Sequence, residues 1–111
     1  MEYRAKYRFA KMSARKVRDV LDLIRGKHVE DAMMILRQIN KRAAVMVDKT
    51  LRSAIANADE SLEADMENLI VKEAVADEGA TRKRYRPRAR GRATIERRRS
   101  SHITIVVDDQ T

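Results

Sequence analysis

The sequence predicts an α+β domain: three helices packed on a small three-stranded antiparallel sheet, with two of its strands extended into a long basic β-hairpin. Three observations predict it. Residues 3–9 and 102–107, at opposite ends of the chain, alternate with period two. Between them lie three apolar stripes at the 3.6-residue helical period. Finally, Arg82–Arg99 holds ten basic side chains and one acid, Glu96, in 18 residues. Such a run cannot condense on itself without counter-charge.

The elements follow in order. Tyr3-Arg4-Ala5-Lys6-Tyr7-Arg8-Phe9 reads as a strand with Tyr3, Ala5, Tyr7 and Phe9 inward and Arg4, Lys6 and Arg8 outward. An aromatic row could stack nucleobases, but so short a strand must bury something, and core packing is the expectation. Ser13 has the hydroxyl of a helix N-cap. Val17, Val20, Leu21 and Ile24 form the first stripe, and Gly26 ends that helix as a residue tolerant of the left-handed conformation. Val29, Ala32, Met33, Leu36 and Ile39 form the second stripe, with Glu30 and Asp31 in the first turn where the helix dipole favours acids. Ala44, Val47, Leu51, Ile55 and Ala58 form the third, roughly Lys41 to Ala58. Residues Asp59–Asn68 are acidic and polar and read as a solvated loop; their spacing matches no EF-hand. Leu69–Ala76 is β-like, with Lys72 and Glu73 interrupting the alternation. His102–Val107 alternates well, with Ile103, Ile105 and Val107 on one side.

At 111 residues and 12.8 kDa the chain is one domain, 1–111. Residues 1–76 plus 102–111 form the expected globular part, and 77–101 the extended hairpin. No apolar run exceeds five residues, too short for a membrane span of about 20 or a secretory core of about 7–15. Cysteine is absent, so no disulfide, thiolate metal site or cysteine nucleophile exists. His28 and His102 alone cannot cage a metal, and no cofactor motif is present. Net charge is +8, distributed as +6 over residues 1–27, −5 over 28–79 and +7 over 80–111. A small, Cys-free, basic domain points to a cytoplasmic polyanion as partner.

Arg88, Arg90 and Arg92 alternate with Ala89, Gly91 and Ala93. In a strand this sets guanidinium groups on one face and little on the other, which lets the backbone approach a crowded partner. The run uses nine Arg and one Lys. Arginine grips phosphate oxygens bidentately and stacks on bases, which suits folded RNA. Two arms of about 13 residues would reach roughly 40 Å when extended. No zinc spacing, P-loop or catalytic triad motif accompanies them, so an enzyme is not expected. A free-standing architectural nucleic-acid binder with a β-ribbon arm is the alternative.

Several strings carry a family resemblance: Ser13–Arg18, Asp22–Lys27, Ser53–Ala58, Asp77–Gly79, Pro87–Ala93 and Ser101–Ile105. In this order and over nearly the whole chain, the sequence resembles the L twenty-two family of bacterial large-subunit ribosomal proteins. The resemblance implies a structural constituent of the large ribosomal subunit, cytoplasmic, that binds 23S-type rRNA and aids its assembly. It implies a hairpin lining the nascent-peptide exit tunnel, with Arg82, Lys83, Arg84 and Tyr85 at the tip. Its partners would be rRNA, neighbouring ribosomal proteins and the nascent polypeptide, with no membrane. The candidate rRNA contacts are Arg4, Lys6, Arg8, Lys11, Arg15, Lys16, Arg18, Arg25, Lys27, Arg86, Arg88, Arg90, Arg92, Arg97, Arg98, Arg99 and His102. The sequence departs from the family at Ala80, where proline is frequent, and at Arg82 and Arg86, which make the tip more basic than in many relatives.

Overall fold

The alternating segments pair as strands in the computed structural model, which describes residues 1–109. The elements are β1 (Glu2–Ala10), α1 (Ala14–Ile24), α2 (Val29–Gln38), α3 (Arg42–Glu60), β2 (Ile70–Glu78), β3 (Arg82–Pro87), β4 (Ala93–Arg98) and β5 (Ser101–Asp108). β5 is the centre of a three-stranded antiparallel sheet ordered β1-β5-β2, and β3 pairs with β4 in a separate two-stranded ribbon. Ile103, Ile105 and Val107 of β5 face inward, beside Tyr3 and Ala5 of β1 and Val71, Ala74 and Ala76 of β2. The stripes Val17, Val20, Leu21, Ile24 and Val47, Leu51, Ala58 close over them. Three helices on one sheet, with a hairpin leaving it, is the expected α+β architecture. The long axis measures 64 Å, and the radius of gyration is 17.1 Å. A compact chain of this length would give about 13 Å, so the ribbon stands away from the domain.

Two bulges change what the alternation predicts. Tyr7 pairs with Ile103 and Ala10 with Ser101, so Arg8 and Phe9 together oppose the single residue His102. Phe9 takes φ +56° and is 59% exposed, where the period-two pattern places it in the core. Ala10 fills the inward position instead and is fully buried. On β2, Val71 pairs with Val107 and Glu73 with Val106, leaving Lys72 as the extra residue. This bulge accounts for the interrupted alternation, since it lets Val71 and Ala74 both point inward.

Other local expectations also meet corrections. Ser13 stands at the N-cap of α1 in an extended conformation, but its hydroxyl makes no capping bond. His28 caps α2: its Nδ1 accepts from the Glu30 N–H (3.2 Å), and its Nε2 then donates to the Glu67 carbonyl (2.6 Å). α3 runs on to Glu60, into the segment read as loop, and Met66–Asn68 forms a 3-10 turn after Asp65. The Asp65 carboxylate accepts from the Glu67 N–H.

The outer edge of β2 is covered by α1 and the loop that follows it. Val71 exchanges two backbone bonds with Gly26 and Lys27, and Val29 donates to the Leu69 carbonyl. Gly26 reaches this contact with φ +79°. Further along, Arg25 donates to the Ala74 carbonyl (2.5 Å) and Arg18 to the Ala76 carbonyl through two nitrogens (3.1 and 2.8 Å). An edge strand with its carbonyls satisfied no longer templates pairing with another chain.

Lys72, thrust out by its bulge, bonds to Glu2 and lies 3.8 Å from Asp108. The Glu2 hydrogen bond raises its pKa above the usual 10.5. The folded pKa is the higher one, so the contribution to stability is full below 10.5 and fades as pH rises through the folded value. The difference in urea midpoint between the wild type and Lys72→Gln should therefore be small at neutral pH, because the pair is exposed. It should vanish in strongly alkaline buffer.

Candidate nucleic-acid interface

The ribbon has two chemically distinct faces. Arg82, Arg84 and Arg86 share one with Thr94, Glu96 and Arg98; Lys83, Tyr85 and Pro87 share the other with Ala93, Ile95 and Arg97. Arg82 sits directly opposite Arg98, and Lys83 opposite Arg97. Like charges at facing positions are destabilising. Among the described residues, the compensation within the ribbon is one exposed ion pair, Arg86 Nε to Glu96 Oε2 at 3.0 Å, which is worth little in water. Tyr85 faces Ile95, and both are largely exposed at 67% and 48%. No residue of β3 or β4 is buried.

The structure relocates the tip. The chain reverses at Arg88–Arg92, where the Arg88 N–H donates to the Arg92 carbonyl and Arg90 and Gly91 take φ +63° and +70°. Arg88, Arg90 and Arg92 therefore crown a turn and do not alternate along a strand. Arg82, Lys83 and Arg84, expected at the tip, lie in the paired base of the ribbon opposite Arg98, Arg97 and Glu96, with Tyr85 just beyond. A signal for this exists in the sequence. Arg90 is the midpoint of Asp77–Ile103, and the Gly after it accepts the positive φ that the reversal needs.

At the base the ribbon is joined to the sheet through a tight contact. Gly79 N–H donates to the Ser100 carbonyl (2.9 Å), and Ser100 Oγ donates to the Ala80 carbonyl (2.8 Å). A Cβ on Gly79 would lie 2.6 Å from Ser100 Oγ and 3.3 Å from His102 Nε2. Beside this junction is a cleft of about 350 Å³, lined by Ser13, Arg15, Lys83, Arg97, Arg99 and Ser100, with Glu78 as its one acid. Among the described residues, none of its four cations is in an ion pair. A second groove of about 310 Å³ runs between β1 and α3, past Lys6, Arg8 and Lys49, with Lys49 Nζ 5.8 Å from the Tyr7 ring centre.

The remaining candidate residues divide. Arg4, Lys6, Arg8, Lys11, Arg15, Lys16, Lys27 and Arg97–Arg99 are exposed. Arg18 and Arg25 are exposed too, but each turns part of its guanidinium onto a strand carbonyl, and Arg25 also pairs with Asp22 at 2.6 Å. His102 accepts the Phe9 N–H at Nδ1 (3.1 Å) and packs edge-on against the Phe9 ring. The charge pattern directs these three residues to a ligand, but the fold supplies each with a partner distant in sequence.

The chain matches the family described as ribosomal protein L22p/L17e over residues 5–108. It belongs to that family. The large ribosomal subunit protein uL22 of Thermoanaerobacter sp. strain X514 is 57% identical over 110 residues, 99% of either chain. That of Pelotomaculum thermopropionicum is 51% identical over 110 residues, covering 99% of this chain and 97% of the relative. That of Staphylococcus aureus strain Newman is 50% identical over 109 residues, 98% and 93% respectively. L22p/L17e proteins are structural components, and this member is not an enzyme.

Two substitutions separate fold from interface in this L22p/L17e chain. Arg18→Met removes two charged hydrogen bonds to Ala76 and should cost about 1–3 kcal/mol in urea unfolding, with the salt dependence of RNA binding unchanged. Gly79→Ala must displace Ser100 Oγ from the Ala80 carbonyl, costing about 1 kcal/mol. Hydrogen exchange should then show faster opening at the 79–81 and 99–100 junction.

Proposed function

We propose that the chain is a constituent of the large ribosomal subunit, as the name of its relatives says of them, and works in the cytoplasm. It binds large-subunit rRNA through two basic surfaces, aids folding of that RNA, and reaches with its ribbon into the subunit. There it lies among neighbouring ribosomal proteins and forms part of the wall of the nascent-peptide exit tunnel. One observation carries the reading. An exposed ribbon with facing like charges, Arg82 on Arg98 and Lys83 on Arg97, is favourable only when anions surround it.

The two surfaces have different work. Arg4, Lys6 and Arg8 on the outer face of β1, with Lys11, Arg15 and Lys16, dock the domain. The ribbon faces supply Arg82, Arg84, Arg86 and Arg98 for phosphates, and Tyr85 with Ile95 for apolar or base contacts. Arg88, Arg90 and Arg92, at the turn, reach furthest from the domain and stand closest to a nascent chain. The turn holds only Ala89 and Gly91 between its arginines, so it lacks the apolar wedge of an architectural DNA binder.

The test is affinity for a large-subunit rRNA transcript as a function of salt. Neutralising one phosphate-bound cation flattens the slope of log K against log salt by about 0.7–0.9. Replacing Arg88, Arg90 and Arg92 by Gln should flatten it by about 2–3 in all if each holds a phosphate. Wild-type affinity and slope in that variant would mean that the turn does not touch RNA. Photo-cross-linking from position 90 to a stalled nascent chain tests the tunnel assignment separately, and an absent cross-link would remove it.

A further inference from the structure

Phe9 is the one aromatic that the period-two pattern assigns to the core and the fold expels. The bulge on β1 sets it opposite His102 at φ +56°, a backbone region disfavoured for a residue with a Cβ, and leaves its ring 59% exposed. The bulge that brings Ala10 into the core accounts for the backbone, but the exposed ring gains little burial for the free domain. The position is nonetheless well held. The Phe9 N–H donates to His102 Nδ1 at 3.1 Å, and the two rings meet at 81° with centroids 4.8 Å apart. A T-shaped pair leaves at least one face of the Phe9 ring open.

The surroundings are basic on the β1 side, while Asp77 of β2 stands across from His102 on the same face of the sheet. Arg4, Lys6 and Arg8 line the outer face of β1, and Lys11 follows the bulge. On the other side, His102 Nε2 lies 3.3 Å from where a Gly79 Cβ would be, and Gly79 is in the wall of the cleft holding Arg15, Lys83, Arg97 and Arg99. The ring therefore rests on His102, whose far edge borders Gly79 in the wall of that cleft. An open aromatic face flanked by phosphate-binding side chains is the arrangement that takes an unstacked base of single-stranded nucleic acid.

We propose that Phe9 stacks one unpaired nucleobase of the bound RNA, while Arg8, Lys11 and the cleft arginines take the flanking phosphates. His102 acts as the positioning residue, holding the bulge that presents the ring. This rests on the RNA-binding reading above.

The experiment uses the full chain and a large-subunit rRNA transcript, with Phe9→Leu and Phe9→Tyr. Tyrosine keeps a π face and should bind within about twofold of wild type. Leucine keeps apolar bulk without it and should lose about tenfold in affinity. Stacking releases no counter-ions, so the salt slope should be unchanged in both variants. Leucine binding as tightly as wild type would overturn the proposal. If circular dichroism shows that the leucine variant is not folded, ultraviolet cross-linking of the wild-type complex decides. An adduct on Phe9 supports stacking, and adducts elsewhere on the chain without one at Phe9 overturn it. A wild-type chain that does not prefer the rRNA transcript to an unrelated RNA of equal length would instead defeat the RNA-binding reading itself.

Discussion

Everything in the molecule hangs on the double pairing of β5. It is the one strand of the three-stranded sheet bonded on both sides, and its Ile103, Ile105 and Val107 are fully buried against the helices. Because β5 and β2 are also the two arms that lead to the ribbon, the least stable part of the chain grows directly from the most stable part. The ribbon alone would be marginal, since two strands without a buried face do not hold together in water. Its direction is set by the pairing of Glu78 with Ser101 and the close approach of Gly79 to Ser100, not by anything within the ribbon.

The charge distribution has the same logic. The middle of the sequence, which supplies α2, α3 and β2, is acidic on balance, while β1, α1 and the ribbon carry the excess of cations. The arginines of α1 and its C-cap are not equivalent. Arg15 opens onto the cleft, whereas Arg18 and Arg25 turn back onto the carbonyls of β2. Each side chain is aimed by its place around the helix relative to an edge strand. The same residue type is thus a structural clamp at one position and a free cation a turn away. In the ribbon no core is available, and cations face one another across the strands.

The fold class, the helical stripes and the strand pairing are legible because burial imposes a period, and a period survives in a single sequence. The interrupted pattern at Lys72 is legible as an irregularity, though not as a bulge. The basic run announces a polyanion, and its motifs announce a family. Where pattern and structure part, the cause is shared. For Phe9, Arg18, Arg25 and His102, neighbours in sequence suggest one arrangement, while partners elsewhere in the chain set another.

Most of the core, the three helices and the sign of the partner that the surface demands can all be read from the order of the amino acids. They follow from hydrophobic periodicity and net charge, both of which are local sums. Two things wait for the assembled fold: where strands slip by one residue, and which arginines are already engaged. A bulge relocates every side chain beyond it to the opposite face, and a guanidinium turns to whichever acceptor the packing brings near. Those outcomes depend on the register between β1 and β5 and on the seat of α1 against β2, which no run of neighbouring residues encodes.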